Sequence, residues 1–186
     1  MLTTRLFPRL AWAVTGSGHY LRESLELMRE QPNADLFVSA AADEVVRMYR
    51  RTGVTLPEHT RIFRDRTASA VPVGRFYRGH YHTLVVAPAT SNTIAKAVLG
   101  ISDTLVTNVL AQAGKCRVPT IVFACDTAPE MDTEAPDGMV KVYPRRIDLE
   151  NVERLRGFEA MTVVDSVAGL AAAVRERTAC LSESSS

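Results

Sequence analysis

Between Thr83 and Asn108 the hydrophobic period of the chain changes from strand to helix across five small or polar residues, Ala89 to Thr93. Leu84 to Ala87 is a short apolar run. Pro88 is expected to end it, because proline has no N–H to give to a sheet ladder. Beyond the loop, Ile94, Ala95, Val98 and Leu99 recur at helical spacing. A buried strand that passes almost directly into a helix points to layered α/β architecture, since the strand's faces need cover that helices supply. The same junction leaves backbone N–H groups without intrahelical acceptors, with the positive end of the helix dipole behind them. Thr90, Ser91, Asn92 and Thr93 add hydroxyl and amide groups. That set suits an anion, above all a phosphate. Ordinary capping of a helix by Ser or Thr uses the same residue types.

The pattern occurs again near the start of the chain. Leu10 to Thr15 reads as the first buried strand, Gly16-Ser17-Gly18-His19 as a glycine loop, and Leu21, Leu25 and Met28 as one face of a helix. Gly16 and Gly18 allow positive φ and close approach of backbone to a ligand, or simply a tight turn. A dinucleotide fingerprint would need glycine where Leu21 stands, and no Gly-Lys-Ser/Thr follows, so neither a nicotinamide motif nor a nucleotide P-loop is present.

Ala34 to Ala40 is the next strand, with Ser39 at the carboxyl end where open α/β sheets bind ligands. Asp43 to Arg51 follows as a helix stopped by Gly53. Glu58 to His82 differs in character: Arg61, Arg64, Arg66, Arg75 and Arg78 alternate with Phe63, Phe76, Tyr77 and Tyr81. Such a segment reads either as a wall that stacks on a planar ring and pairs with an anionic tail, or as a solvated loop with a subunit-contact helix. Ser102 to Cys116 continues as helix and Pro119 to Cys125 as strand. Residues 126–138 read as loop, Met139 to Tyr143 as a short strand stopped by Pro144, Met161 to Asp165 as the last strand and Val167 to Thr178 as the last helix. The expected fold is a three-layer, Rossmann-like (flavodoxin-like) α/β domain with a mostly parallel sheet, over residues 1–180, with a disordered Ser-rich tail at 181–186.

Composition narrows the function. The chain has 186 residues, 46% hydrophobic, with a formal net charge of +1. That is enough for one well-cored domain and gives no reason to expect a nucleic-acid partner. No apolar run approaches the ~20 residues of a membrane helix, and Met1 to Arg9 lacks a signal-peptide pattern, so the protein is expected in the cytoplasm without membrane attachment. Cys116, Cys125 and Cys180 are three and widely spaced, which fits neither a disulfide framework nor a metal motif.

Pro88-Ala-Thr-Ser-Asn-Thr93, followed by Ile-Ala-Lys and Gly100-Ile-Ser-Asp-Thr-Leu105, resembles the signature of the superfamily of homo-oligomeric flavin-containing cysteine decarboxylases. In that superfamily a Pro-Ala-Ser-Ala-Asn-Thr loop holds flavin mononucleotide (FMN), and a Gly-x-x-Asp-x-Leu segment follows. Within it, the Gly-Ser-Gly-His loop at 16–19 is most similar to the dihydromethanopterin reductase branch and related archaeal flavoproteins. The resemblance implies FMN as cofactor, held by Gly16, Ser17, Gly18, His19, Ser39, Pro88, Ala89, Thr90, Ser91, Asn92, Thr93, Ser102, Asp103 and Cys125. It implies a homo-oligomer built on trimers. It also implies hydride transfer from reduced flavin to a dihydropterin, foremost dihydromethanopterin, with an external electron donor.

The residues that decarboxylating members use are replaced. Their His falls here on Gly74, with His80 and His82 out of register, and their Pro-x-Met-Asn segment reads Ala124-Cys125-Asp126-Thr127. A flavin-dependent decarboxylase or prenyltransferase, or a non-catalytic FMN electron carrier, remains as an alternative. The pterin substrate carries an acidic, phosphate-bearing tail, for which Arg75, Tyr77, Arg78 and Tyr81 are the expected wall. Tyr77, Tyr81, His19 and Asp126 are candidate proton donors, and no metal site is expected.

Overall fold

The computed structural model describes residues 8–66 and 70–183. Six strands form one parallel sheet in the order β3-β2-β1-β4-β5-β8: β1 Arg9–Val14, β2 Ala34–Val38, β3 Arg61–Arg64, β4 Tyr81–Ala89, β5 Thr120–Ala124 and β8 Met161–Val164. Two further strands, β6 Met131–Ala135 and β7 Gly138–Val142, pair with each other as an antiparallel hairpin outside that sheet. The expected three-layer α/β fold is the one observed.

Alternation along the central strands sorts the core into two layers. Ala11, Ala13, Leu84, Val86 and Val122 face helices α3 (Ala70–Tyr77), α4 (Ser91–Val98), α5 (Leu105–Lys115) and α6 (Arg146–Arg156). Leu10, Trp12, Val14, Val85, Ala87, Ile121 and Phe123 face α1 (Leu21–Arg29), α2 (Ala40–Met48) and α7 (Val167–Glu183). Near-continuous apolar runs on strands buried on both faces are what a covered parallel sheet requires. The buried Trp12 indole satisfies its one donor on the Ala87 carbonyl at 3.1 Å.

Several sequence expectations shift. Pro88 does not end its strand: β4 passes through it to Ala89 across a cis Ala87–Pro88 bond. The β4–β5 register shifts between Val86 and Ala89, so the missing N–H falls where the ladder is already interrupted. The helix expected from Asp43 begins at Ala40, capped by Ser39, and its end becomes a 3-10 turn, Tyr49–Thr52, before Gly53. The helix expected from Ser102 begins at Leu105, because Thr104 and Thr107 form a reciprocal capping box there. Strands β3 and β6 and helix α6 fall in segments whose charge conceals their short apolar faces. Helix α7 runs to Glu183, three residues into the expected tail, and residues 184–186 lie outside the described part.

The amino-terminal edge of the sheet is tied by a buried carboxylate. Asp35 accepts from Arg9 Nε at 2.8 Å and from the Tyr81 hydroxyl at 2.8 Å, and Arg75 Nη2 approaches at 3.5 Å. Burial, together with Asp35 beside it, pushes the Tyr81 phenol far above its ordinary range. Strand β4 separates Tyr81 from the carboxyl edge by eight residue steps, or roughly 26 Å.

His82 gives the fold a pH signature. Burial, reinforced by Arg177, pushes its imidazole down to about 4 from an ordinary 6.5. The unfolded chain therefore binds a proton at this side chain between about pH 6.5 and 4 that the folded chain does not. Stability from neutral His82 is complete above that window and is lost as pH falls through it. Urea midpoints measured from pH 7 to 4 are expected to decline less steeply in His82→Gln than in the parent protein.

Candidate functional site

The carboxyl edge of the sheet holds a cleft of about 360 Å³ where three strand-to-helix junctions meet. Thr15 and Gly16 come from the end of β1, Ser39 to Ala41 from the β2–α2 junction, and Thr90, Asn92 and Thr93 from the β4–α4 junction. Thr104 and Thr107 at the start of α5, Lys96 of α4 and Asp65 after β3 complete the lining. The amino termini of α2, α4 and α5 thus open on one cavity, each carrying backbone N–H groups that no intrahelical acceptor can satisfy.

Thr15 locks two of these junctions together. Its hydroxyl donates to the Pro88 carbonyl at 2.7 Å and accepts from the Thr90 N–H at 2.9 Å, while the Thr15 N–H donates to the same Pro88 carbonyl at 3.2 Å. The side chains of Ser39 and Thr90 are partly occupied as caps, accepting from Ala42 N at 3.0 Å and Thr93 N at 3.3 Å. The capping and ligand-cradle readings are therefore compatible: each cap uses one lone pair and shapes the turn that presents its neighbours.

The two loop glycines are required for a reason the sequence does not reveal. Among the glycines with positive φ neither Gly16 nor Gly18 appears. A Cβ on Gly16 would lie 2.6 Å from Ala41 Cβ, and one on Gly18 would lie 2.2 Å from the Tyr49 hydroxyl. Gly16 makes room for Ala41 of the cleft wall, and Gly18 makes room for Tyr49, which lies outside the cleft lining.

The other predicted residues divide into groups. Ala89 and Pro88 are strand residues that fix the turn, Ala89 through its carbonyl to Cys125 N at 3.1 Å. Ser91 turns away from the cleft and donates to Asp126 at the end of β5. Cys125 is buried, and burial pushes its thiol up to about 12 against a countering hydrogen bond from Ser17, so it stays protonated at neutral pH. Ser17 also donates to the His19 carbonyl at 3.2 Å. His19 Nδ1 accepts from the Glu134 N–H at 3.4 Å and its Nε2 is buried with no partner among the described residues. Burial holds the His19 ring below its ordinary range despite Glu23, Asp126 and Glu134. The Tyr49 hydroxyl donates to the Glu134 carbonyl at 3.0 Å, so His19 and Tyr49 together clamp the β6–β7 hairpin by one residue's backbone.

Asp103 reaches the cleft through Lys96, which it binds at 2.8 Å, and through a hydrogen bond with Thr107, and Ser102 lines a separate hollow between α4, α5 and Phe158. The structure does not bring Arg75, Tyr77, Arg78 and Tyr81 to the cleft. Arg75 and Tyr81 serve Asp35 at the opposite edge, and Arg78 lies over the exposed Tyr77 ring at 5.7 Å. The lining residues that sequence reasoning missed are Thr15, Ala40, Ala41, Asp65, Lys96, Thr104 and Thr107. Thr104-x-x-Thr107 was visible as a capping pair, and Lys96 lies three residues past the motif. No group of three potential metal ligands occurs among the described residues.

The Flavoprotein family description matches residues 4–185. The chain belongs to the Flavoprotein family. Among solved structures, this flavoprotein is 55% identical to DmrB of Burkholderia xenovorans in complex with FMN, a protein described as a cubic protein cage for redox transfer. That match covers 94% of this chain and 97% of DmrB with a TM-score of 0.85. The chain is 39% identical over 145 residues to dihydromethanopterin reductase (acceptor) of Methanosarcina mazei, spanning 70% of this chain and 60% of that longer protein. Phenylacrylic acid decarboxylase of Aquifex aeolicus shares the fold at 20% identity and a TM-score of 0.63, over 86% of this chain and 81% of that one.

Gly18→Ala tests the hairpin clamp. The added methyl must displace the Tyr49 ring and break its bond to Glu134. A lost hydrogen bond of about 1–1.5 kcal/mol corresponds to roughly tenfold faster opening. Amide exchange over residues 131–142 is expected to accelerate by about that factor, with the β1, β4 and β5 amides unchanged.

Proposed function

We propose that this flavoprotein is an FMN-dependent reductase that passes a hydride to a dihydropterin, foremost dihydromethanopterin. The observation that carries the reading is the convergence of three helix amino termini on one cleft, in a chain 55% identical to a protein solved with FMN. The residues present fit the cofactor. The starts of α2, α4 and α5 offer N–H groups and Ser39, Thr90, Thr93, Thr104 and Thr107 offer hydroxyls, a donor set suited to a phosphate dianion. Lys96 adds a cation that Asp103 partly neutralises. FMN, when bound, supplies the hydride chemistry.

The chain's own residues orient and hold protons. The bridge from Thr15 to Pro88 and Thr90 keeps the β1 and β4 junctions in fixed register, so whatever they bind is held by two strands at once. Of the candidate proton donors, Tyr77 and Tyr81 belong to the opposite edge, while Asp126 and His19 belong to this one. His19 is neutral and already an acceptor at Nδ1. Asp126, hydrogen-bonded by Ser91, and His19, whose ring proton sits on Nε2, unpartnered among the described residues, are the two groups at this edge placed to relay a proton. Gly74 and Ala124-Cys125-Asp126-Thr127, which stand where decarboxylating members carry their His and their Pro-x-Met-Asn segment, tell against the decarboxylase alternative. Among the described residues no helix is long and apolar enough to cross a membrane. We read the protein as a single domain over residues 1–180, in the cytoplasm, reduced by an external donor and assembled from trimers.

Three experiments test this reading. Asn92→Ala is expected to purify folded but depleted of FMN, since loss of one hydrogen bond at a charged group costs about 1.5–3 kcal/mol, or roughly ten- to a hundredfold in affinity. In the parent protein, photoreduced holoprotein is expected to be reoxidised by dihydromethanopterin in stopped-flow mixing, faster than by dihydrofolate. Reoxidation by neither pterin would leave the electron-carrier reading. Light scattering is expected to give a mass that is a multiple of three chains, and a monomer or plain dimer at micromolar concentration would remove the trimer from the proposal.

A further inference from the structure

The arginines around the cofactor cleft are distributed differently from the sequence expectation. Arg75 is committed to Asp35 and Arg78 to Tyr77. Arg64 and Arg66 instead flank Asp65, a residue that lines the cleft, and both open on a second concavity of about 480 Å³. This groove follows the outer side of α2, whose first residues, Ala40 and Ala41, are themselves part of the cleft wall. The two cavities therefore share two partitions, the first turn of α2 and the segment 64–66.

The groove has the chemistry of an anion site. Arg47, Arg50, Arg64 and Arg66 face Asp43 and Glu58, over an apolar floor of Val46, Val54 and Leu56. Asp43 holds Arg64 at 2.9 Å and Arg47 loosely at 3.7 Å. Arg50 and Arg66 have no carboxylate partner among the described residues. From Asp43 to Arg50 the groove wall extends roughly 10 Å at the rise of a helix. The excess of guanidinium groups is local, since the whole chain carries only +1. A concave surface lined by one sign of charge concentrates the potential it presents to solvent. Arginine's planar fork matches two oxygens of a phosphate or carboxylate at once.

We propose that this groove is the anion subsite for the phosphate or carboxylate tail of a substrate whose reacting end lies against the cofactor held in the neighbouring cleft. The proposal rests on the cofactor-cleft reading above. Arg50 and Arg66 hold the tail oxygens, Arg64 is kept in place by Asp43, and the apolar floor takes the carbon chain between the charged ends. The tail is thus bound beyond α2, away from the reducible ring.

The test uses the FMN-loaded protein and the double variant Arg50→Gln/Arg66→Gln. Inorganic pyrophosphate is titrated by calorimetry at low salt. Stopped-flow reoxidation compares dihydromethanopterin with a dihydropterin that lacks the anionic tail. Pyrophosphate affinity and the apparent affinity for dihydromethanopterin are each expected to fall by about tenfold or more, and the loss to shrink as salt screens the exposed arginines. FMN content and the response to the tail-less pterin are expected to stay as in the parent. Circular dichroism, and a charge-conserving Arg50→Lys/Arg66→Lys variant that retains pyrophosphate binding, separate a binding effect from a folding one. Unchanged pyrophosphate binding, or equal losses for both pterins, would overturn the subsite. So would slower reduction by an acidic donor protein with pyrophosphate and tail-bearing pterin unaffected. If neither pterin reoxidises the parent protein, the reductase reading fails, and the pyrophosphate titration alone decides whether the groove binds anions.

Discussion

The positive ends of three helices meet at one edge of a parallel sheet, and the rest of this structure is arranged around that concentration of unanswered N–H dipoles. Parallel strands account for α2 and α4, because each strand hands the chain to a helix at the same edge, and the segment after α4 returns the chain so that α5 starts there too. The position of the cleft follows from strand order. Connections from β1 run toward β2 and β3, those from β4 toward β5 and β8, and the crevice opens where the direction reverses. Thr15 holds that crevice to a defined shape by hydrogen-bonding across it to Pro88 and Thr90.

The opposite edge has the reverse problem and a different solution. Helix carboxyl ends and strand starts gather there, and Asp35 draws Arg9, Arg75 and the Tyr81 hydroxyl inward around one buried carboxylate. The aromatic cluster of Phe37, Phe63, Phe76 and Tyr81 packs beside it. This network stiffens the sheet some 20 Å or more from the cleft, at the rise of an extended strand. It divides the arginine-rich segment between two tasks. Arg75 stabilises, whereas Arg64 and Arg66 remain at the edge where ligands bind.

The β6–β7 hairpin is the one addition to this plan. It hangs from the end of β5, and the backbone of Glu134 is gripped by His19 of the β1 loop and by Tyr49 after α2. Gly18 is glycine because Tyr49 needs the space. The Gly-Ser-Gly-His stretch therefore builds the support of the hairpin as much as the wall of the cleft.

The layered fold, a capped strand-to-helix junction within 88–93 and the membership in a flavin-binding lineage were legible in the sequence, although the loop expected over 89–93 is reduced to Thr90 between β4 and α4. Each depends on local order: an apolar run, a set of cap-forming side chains and a helical period lie within a few residues of one another, and the physics that joins them is local. The elements that were missed, β3, β6 and α6, have short apolar faces among charges, and only pairing with another strand, distant for β3 and adjacent for β6, or packing on the core for α6 makes those faces count. Tertiary structure alone decided which candidate residues share a site. Arg75 and Arg66 lie nine positions apart in one arginine-rich stretch, yet helix α3 carries Arg75 to the far edge of the sheet. Spacing along the chain carries no information about which edge of a parallel sheet a side chain will reach, because that depends on where the chain crosses the sheet and on which partner, here Asp35, is buried to receive it.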